Sequence, residues 1–234
     1  MAAPVPDLSV EQSLFAQGAR LVAGVDEVGR GAWAGPVSVG VVVLAPQMGA
    51  APAGIRDSKL LSAAKRQALA PAIVGWAVAT AVGSATNREC DALGMRGAVA
   101  LAGSRAFDLL EVEVDAVIVD GPLDLLSGGG PGFSELVADH AWRQHPPRVE
   151  AVVKADQKCL SVASASVVAK VSRDSEMAKW AEHYPGYGFE KSVGYPAPVH
   201  REALERSGVT PLHRVSWSYV ETMGLNPNVA TAQE

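Results

Sequence analysis

Two cysteines in 234 residues, Cys90 and Cys159, lie far apart and form no Cys-x-x-Cys pair. That scarcity excludes a disulfide framework and a thiolate zinc site, and it suits free buried thiols in a reducing cytoplasm. An excess of positive charge is also missing, because 20 Lys and Arg against 25 Asp and Glu leave a formal net charge of -5. A protein that coats nucleic acid through a global basic field is thereby excluded, so any nucleic-acid partner must be held locally, by a cluster of cations or by bound ions. The N-terminus MAAPVPDLSVEQ lacks a basic region followed by an apolar run, and no signal peptide is expected. Residues 31–55 and 67–87 carry no charge, yet Gly and Pro punctuate both. Val37 to Leu44, within the first, suits a buried strand and falls far short of the ~20 apolar residues that cross a bilayer. No internal repeat is visible, and no Walker or Rossmann glycine spacing occurs.

What is present is a chain 48% apolar, enough for one core of ordinary size. Residues 1–20 read as a loosely ordered arm. Leu21 to Val25 and Val37 to Leu44 read as strands joined by a Gly-rich turn, with a third strand over Trp76 to Val82. Ser62 is expected to cap a helix through about Ala70 that Pro71 ends. Helical spacing follows over Met95 to Leu110, then short β-branched strands over Ala116 to Val119 and Val149 to Val153. Ser161 to about His183 is helical, with Val162, Ala165, Val168, Ala169, Met177 and Trp180 on one face and Pro185 as its stop. Leu123 to Gly132 and Pro185 to Pro198 read as surface loops, and the final NPNVATAQE as a disordered tail. Strands mixed with helices imply an α/β fold, a mixed sheet with flanking helices.

The informative pattern is where acids fall. Asp26 and Glu27 follow LVAGV, Asp120 follows AVIV, and Asp156 follows AVVKA, so four carboxylates stand where buried strands emerge. A lone Asp-Gly such as Asp120-Gly121 is an ordinary turn, and a lone Asp-Glu pair is as often solvated surface. Several carboxylates converging on one spot repel one another unless cations sit among them. Oxygen donors of this kind suit Mg²⁺ or Mn²⁺, and two such ions can activate water and stabilise the leaving oxygen in phosphodiester hydrolysis. Beside the first pair, Gly29-Arg30-Gly31 combines a tight backbone path with a planar donor fork, although a plain hairpin turn has the same composition.

Five segments give a resemblance: AGVDEVGRGAWAGPV from Ala23, DSKLLS from Asp57, VIVDG from Val117, VVKADQKCLSVASASVVAKVSRDSEM from Val152 and GYGFEKSVGYPAPVHREAL from Gly186. Their order and residues resemble type 2 ribonuclease H (ribonuclease HII) over roughly residues 21–217. The resemblance implies a ribonuclease H-like sheet with a C-terminal helical extension, one catalytic domain over residues 21–224, and a 225–234 tail. It also implies a catalytic and metal-binding set of Asp26, Glu27, Asp120 and Asp156, two divalent cations (Mn²⁺ or Mg²⁺), and cleavage 5′ of a ribonucleotide in RNA/DNA hybrids or ribonucleotide-bearing DNA duplexes. Asp174 is a rival for the fourth carboxylate, but its place inside a helix beside Arg173 favours another role. Gly29, Arg30 and Gly31 are expected to read the ribose 2′-hydroxyl, and Tyr195 to pack on the sugar at the DNA side of the junction.

Lys59 and Lys154 are the preferred phosphate binders. Lys158, Lys170, Arg173, Lys191, His200, His213 and Arg214 are further candidates, and Ser161, Ser164 and Ser166 mark a helix start that could take a phosphate. Two departures stand out: Ala155 replaces the glycine of many bacterial relatives, and an Asn expected near Gly94 is missing. A monomer in the cytoplasm, with no membrane contact, completes the expectation. A non-catalytic hybrid-binding module and a different metal-dependent nuclease on the same fold are the alternatives.

Overall fold

The computed structural model describes residues 5–121 and 146–228. In chain order they form α1 (Ser9–Ala16), β1 (Val22–Val28), β2 (Val37–Leu44), a 3₁₀ turn (Ser58–Leu60), α2 (Ala63–Trp76), β3 (Ala79–Ala85), α3 (Asn87–Asp108), β4 (Ala116–Asp120) and β5 (Arg148–Val152). There follow α4 (Ala155–Lys158), α5 (Leu160–His183), α6 (Phe189–Ser192), α7 (Pro198–Ser207) and α8 (Ser218–Thr222). The sheet runs β3-β2-β1-β4-β5, with β1, β2 and β3 antiparallel and β1, β4 and β5 parallel. The three parallel strands thus point their C-terminal ends at one edge of the sheet, and the strand-end acids follow them there.

Both faces of the sheet are covered, which is why β2 is buried at every position. Val37, Val39, Val41 and Val43 join Ala23 and Val25 against α3, whereas Val42 and Leu44 pack with Ile73 of α2 and Ala163 and Val167 of α5. Close approach of α5 to the sheet depends on Gly24, where an added Cβ would lie 2.2 Å from the Ser161 carbonyl carbon and 2.3 Å from the Val162 nitrogen. Gly24→Ala is expected to cost about 3 kcal/mol, the upper range for overpacking against backbone, and a shifted urea midpoint at unchanged slope checks it.

Several local expectations give way to tertiary packing. The strand begun at Val22 continues through Asp26 and Glu27 to Val28, because β2 pairs with it along its whole length. Ser62 does cap α2, accepting the Lys65 N–H, but the helix runs through Pro71 to Trp76. Pro71 stands on the exposed side while Ile73 fills the core beyond it, so burial outweighs one missing N–H. The third strand accordingly starts at Ala79. The next helix opens earlier than its spacing suggests, at a Thr86–Glu89 capping box, and bends at Gly94 (φ 68°) before the apolar face.

The expected N-terminal arm is, from Asp7 onward, a docked element. Asp7 bridges to Cys159, and buried Glu11 accepts both the N–H (2.8 Å) and the hydroxyl (2.7 Å) of Ser161. The stretch from Pro185 to Pro198 is likewise no simple surface loop, since Tyr187 and Phe189 enter a C-terminal cluster with Met177, Leu204 and Tyr219. The loop expected at Leu123 to Gly132 lies outside the described residues. Cys90 and Cys159 are buried free thiols. Among the described residues, no helix is long and apolar enough to cross a membrane.

Candidate active site

Parallel pairing brings the acids together. Val25 pairs with Val119, so Asp26 and Asp120 are the next residues on neighbouring strands, and Asp156 follows β5 at the start of α4. Burial, then the adjacent Glu27, push the Asp26 carboxyl well above its usual range; Asp156 and Asp120 add to this, and Lys59 opposes it. Asp156 is raised by burial and then by Asp57 and Asp120. The Asp26 carboxyl therefore senses the other three, and Asp156 senses Asp120. Asp120 accepts the Ala155 N–H at 2.9 Å, and Glu27 pairs with Arg30 at 2.9 Å. No three carboxylate, imidazole or thiol groups among the described residues form a ready-made metal cage. The donor set nevertheless fits a hard divalent cation, because its atoms are carboxylate oxygens whose mutual repulsion a cation would relieve.

Beside the acids opens a cavity of about 380 Å³, lined by Asp26, Glu27, the Gly29-Arg30-Gly31 turn, Lys59, Lys170 and Tyr195 among others. Gly29 has φ 91°, and an added Cβ would lie 2.3 Å from the Arg173 Nε, so only glycine serves there. A Cβ at Gly31 would lie 3.6 Å from the Tyr195 ring, which places that ring against the turn. Lys59 sits on the 3₁₀ turn, whose Asp57 side chain accepts its N–H (3.1 Å) while Arg66 binds the Ser58 carbonyl (3.0 Å). Burial alone would lower the Lys59 ammonium, but Asp57, Asp26, Asp156 and Glu27 outweigh it and keep the group charged. Asp57 was not singled out by residue type; its signal was its place in DSKLLS, two residues before Lys59, and its charge helps to raise the Asp156 carboxyl.

The family model described as Ribonuclease HII matches residues 23–220. This chain belongs to the ribonuclease HII family. A Ribonuclease HII of Streptomyces avermitilis is 44% identical over 219 residues, covering 93% of this chain and 86% of the relative. One from Paracoccus denitrificans is 41% identical over 232 residues, covering 97% and 98%. The crystal structure of the ribonuclease H2 from Pyrococcus horikoshii OT3 is similar at TM-score 0.68 and 28% identity, covering 87% of this chain and 96% of that one. The chain is thus a ribonuclease H enzyme with the fold expected of it.

Within this ribonuclease HII fold some expected substrate contacts prove to be internal. Arg173, Arg214, His200 and His213 are fully or almost fully buried and cannot meet a phosphate as placed. Arg173 donates to the carbonyls of Pro36 (2.8 Å), Val193 (2.9 Å) and Ala34 (3.2 Å). Arg214 donates to Arg30 (3.0 Å) and twice to Gly35 (3.0 and 3.2 Å). Both guanidiniums therefore brace the turn from within. Ser161, Ser164 and Ser166 are buried too, and Glu11 occupies the helix start that was a candidate for a phosphate, so capping and packing account for the three serines. Asp174 is engaged by Lys170 (2.5 Å) and Arg66 (3.7 Å). Lys154 is exposed in a left-handed conformation (φ 57°) and is not among the described residues lining the cavity; Lys158 and Lys191 are exposed as well.

Proposed function

We propose that this chain hydrolyses the ribonucleotide-bearing strand of RNA/DNA hybrids and of DNA duplexes with embedded ribonucleotides, cutting 5′ of a ribonucleotide at an RNA-DNA junction. The observation that carries this reading is the juxtaposition of Asp26, on the central strand, with Glu27, Asp120 and Asp156 on one side and a backbone-rich turn plus Tyr195 on the other. Two divalent cations, Mn²⁺ or Mg²⁺, held by Asp26, Glu27, Asp120 and Asp156, would supply the charge that activates water and stabilises the leaving 3′-oxygen. Asp26, whose carboxyl senses those of Glu27, Asp156 and Asp120, would be the shared member of that set.

The chain's own groups do the positioning. Gly29 and Gly31 let main-chain atoms approach the ribose, and Arg30, steadied by Glu27, offers donors to its 2′-hydroxyl. Lys59, which lines the cavity, would meet the phosphate there, and Lys154, exposed outside the cavity lining, would meet the duplex backbone beyond it. Tyr195 packs on the sugar that follows, distinguishing deoxyribose from ribose by contact. Neither His200 nor His213 serves as base, because both are enclosed. Residues 21–224 act as a single catalytic unit, and a monomer in the cytoplasm suffices for this chemistry.

Product ends test the chemistry. Attack by water leaves a 3′-hydroxyl and a 5′-phosphate, so the upstream fragment is extended by a DNA polymerase without prior phosphatase treatment. A 2′,3′-cyclic phosphate would mean that the 2′-hydroxyl attacks, and the assignment of that group to recognition would fall.

A further inference from the structure

His200 and His213 form a buried pair that neither the carboxylate chemistry nor phosphate binding uses. Their hydrogen bonds run in one direction. The Thr210 N–H donates to His213 Nδ1 at 2.8 Å, which makes that nitrogen the acceptor and puts the ring proton on Nε2. His213 Nε2 lies 3.0 Å from His200 Nε2, which must then accept, so His200 carries its proton on Nδ1. That Nδ1 lies 2.8 Å from the Tyr195 carbonyl oxygen and donates to it. Burial pushes His213 down to about 3 and lowers His200, so both rings are neutral at ordinary pH and the direction is kept.

The two ends of this chain of bonds are both tied to the substrate face. Tyr195 lies against Gly31 in the cavity, and the residue before it, Gly194, accepts from the N–H groups of Trp33 (2.8 Å) and Ala34 (3.2 Å). The segment carrying His213 pairs with the same strand of backbone, since Gly35 N–H donates to Leu212 (2.9 Å) and Arg214 N–H to Trp33 (2.8 Å). Val193, two residues before Tyr195, holds a left-handed conformation (φ 44°) that a β-branched residue adopts only when its surroundings impose it. The Tyr195 backbone is therefore set by imposed contacts and not by local preference.

We infer that His200 and His213 are positioning residues for ribonucleotide recognition, a neutral relay that fixes the Tyr195 main chain and through it the angle at which the ring meets the sugar. The inference rests on the assignment of Tyr195 to the sugar contact. Phe189 (5.2 Å between ring centroids) and Trp33 (6.1 Å) surround His200, so a phenylalanine at 200 keeps an apolar-packed ring, slightly larger, and loses the bond, whereas asparagine loses volume and keeps an N–H near the Nδ1 position.

Steady-state cleavage of a DNA duplex containing one ribonucleotide by His200→Phe, His200→Asn, Tyr195→Ala and the double variants, with melting temperatures for each, tests the inference. His200→Phe should raise KM about tenfold with kcat within about twofold, a tenfold change being about 1.4 kcal/mol. His200→Asn should keep KM near wild type despite a lower melting temperature. In the Tyr195→Ala background His200→Phe should change KM less than about twofold. A role in packing alone predicts the reverse order, Phe harmless and Asn damaging, and that order overturns the inference, as do effects that multiply in the double variant. Should His200→Phe fail to fold, a raised KM in His200→Asn alone overturns it and an unchanged KM supports it. An unaltered KM in Tyr195→Ala would instead remove the sugar-contact assignment beneath it.

Discussion

Replacing Asp26 by asparagine lowers kcat by at least about a thousandfold, the scale expected when a group on which the rest of a catalytic unit depends is removed. The side chain lies at the point where the β1, β4 and α4 carboxylates meet, and its pKa is pushed well above the ordinary 3.8, first by burial and then by Glu27. The same environment predicts a gain in stability. A carboxyl raised on folding contributes its full stability below the unfolded value and loses it as the pH climbs through the folded value. At pH 7.5 without metal, Asp26→Asn is therefore more stable than wild type, and the gap closes as the pH falls toward 4. Mn²⁺ reverses the comparison: a ligand at a hundred times its Kd stabilises wild type by about 2.7 kcal/mol, and the variant gains less. Urea titrations of both proteins at several pH values, with EDTA and with Mn²⁺, read out all of these effects. A variant that turns over normally would remove Asp26 from the centre of the site.

Arg173→Met is expected to cost about 3–5 kcal/mol of folding stability, a large share of a typical domain's total. The guanidinium is wholly buried and satisfies the carbonyls of Pro36, Val193 and Ala34, so methionine would leave three acceptors without donors at ~1–3 kcal/mol each, partly offset by the ion no longer held out of water. Those carbonyls flank the Gly29–Gly31 turn on one side and the Tyr195 loop on the other. Surviving folded protein should thus cleave poorly as well, through a raised KM. Arg173→Lys should recover only part of both losses, because an ammonium cannot reproduce the planar fork. Chemical denaturation at matched slope measures the first effect, and substrate titration the second.

The residues that were legible in the sequence are those whose role is written in their neighbours. Val37 to Leu44 is buried on both faces of the sheet, so its apolar run matches the strand end for end. Asp120 closes β4 where AVIV runs out. Arg173, Arg214, His200 and His213 were hidden for the opposite reason. Polar side chains suggest surface, and their partners at Arg30, Ala34, Gly35, Pro36 and Tyr195 include main-chain carbonyls as many as 184 positions away in sequence, which no local spacing reveals. Glu11 is similar: it reads as part of a polar arm until the start of α5, 150 residues on, is seen to need an acceptor. Pro71 shows the converse failure, a sound local stop signal overridden by the burial of Ile73.

The most direct measurement is cleavage of an end-labelled DNA duplex carrying one ribonucleotide, beside an all-DNA duplex of the same sequence, with Mg²⁺, Mn²⁺ or EDTA. A single cut on the 5′ side of the ribonucleotide, dependent on the divalent ion and absent from the all-DNA duplex, is the predicted result. A folded protein that binds the duplex and leaves it intact with either metal, or cuts both duplexes alike, would contradict the account.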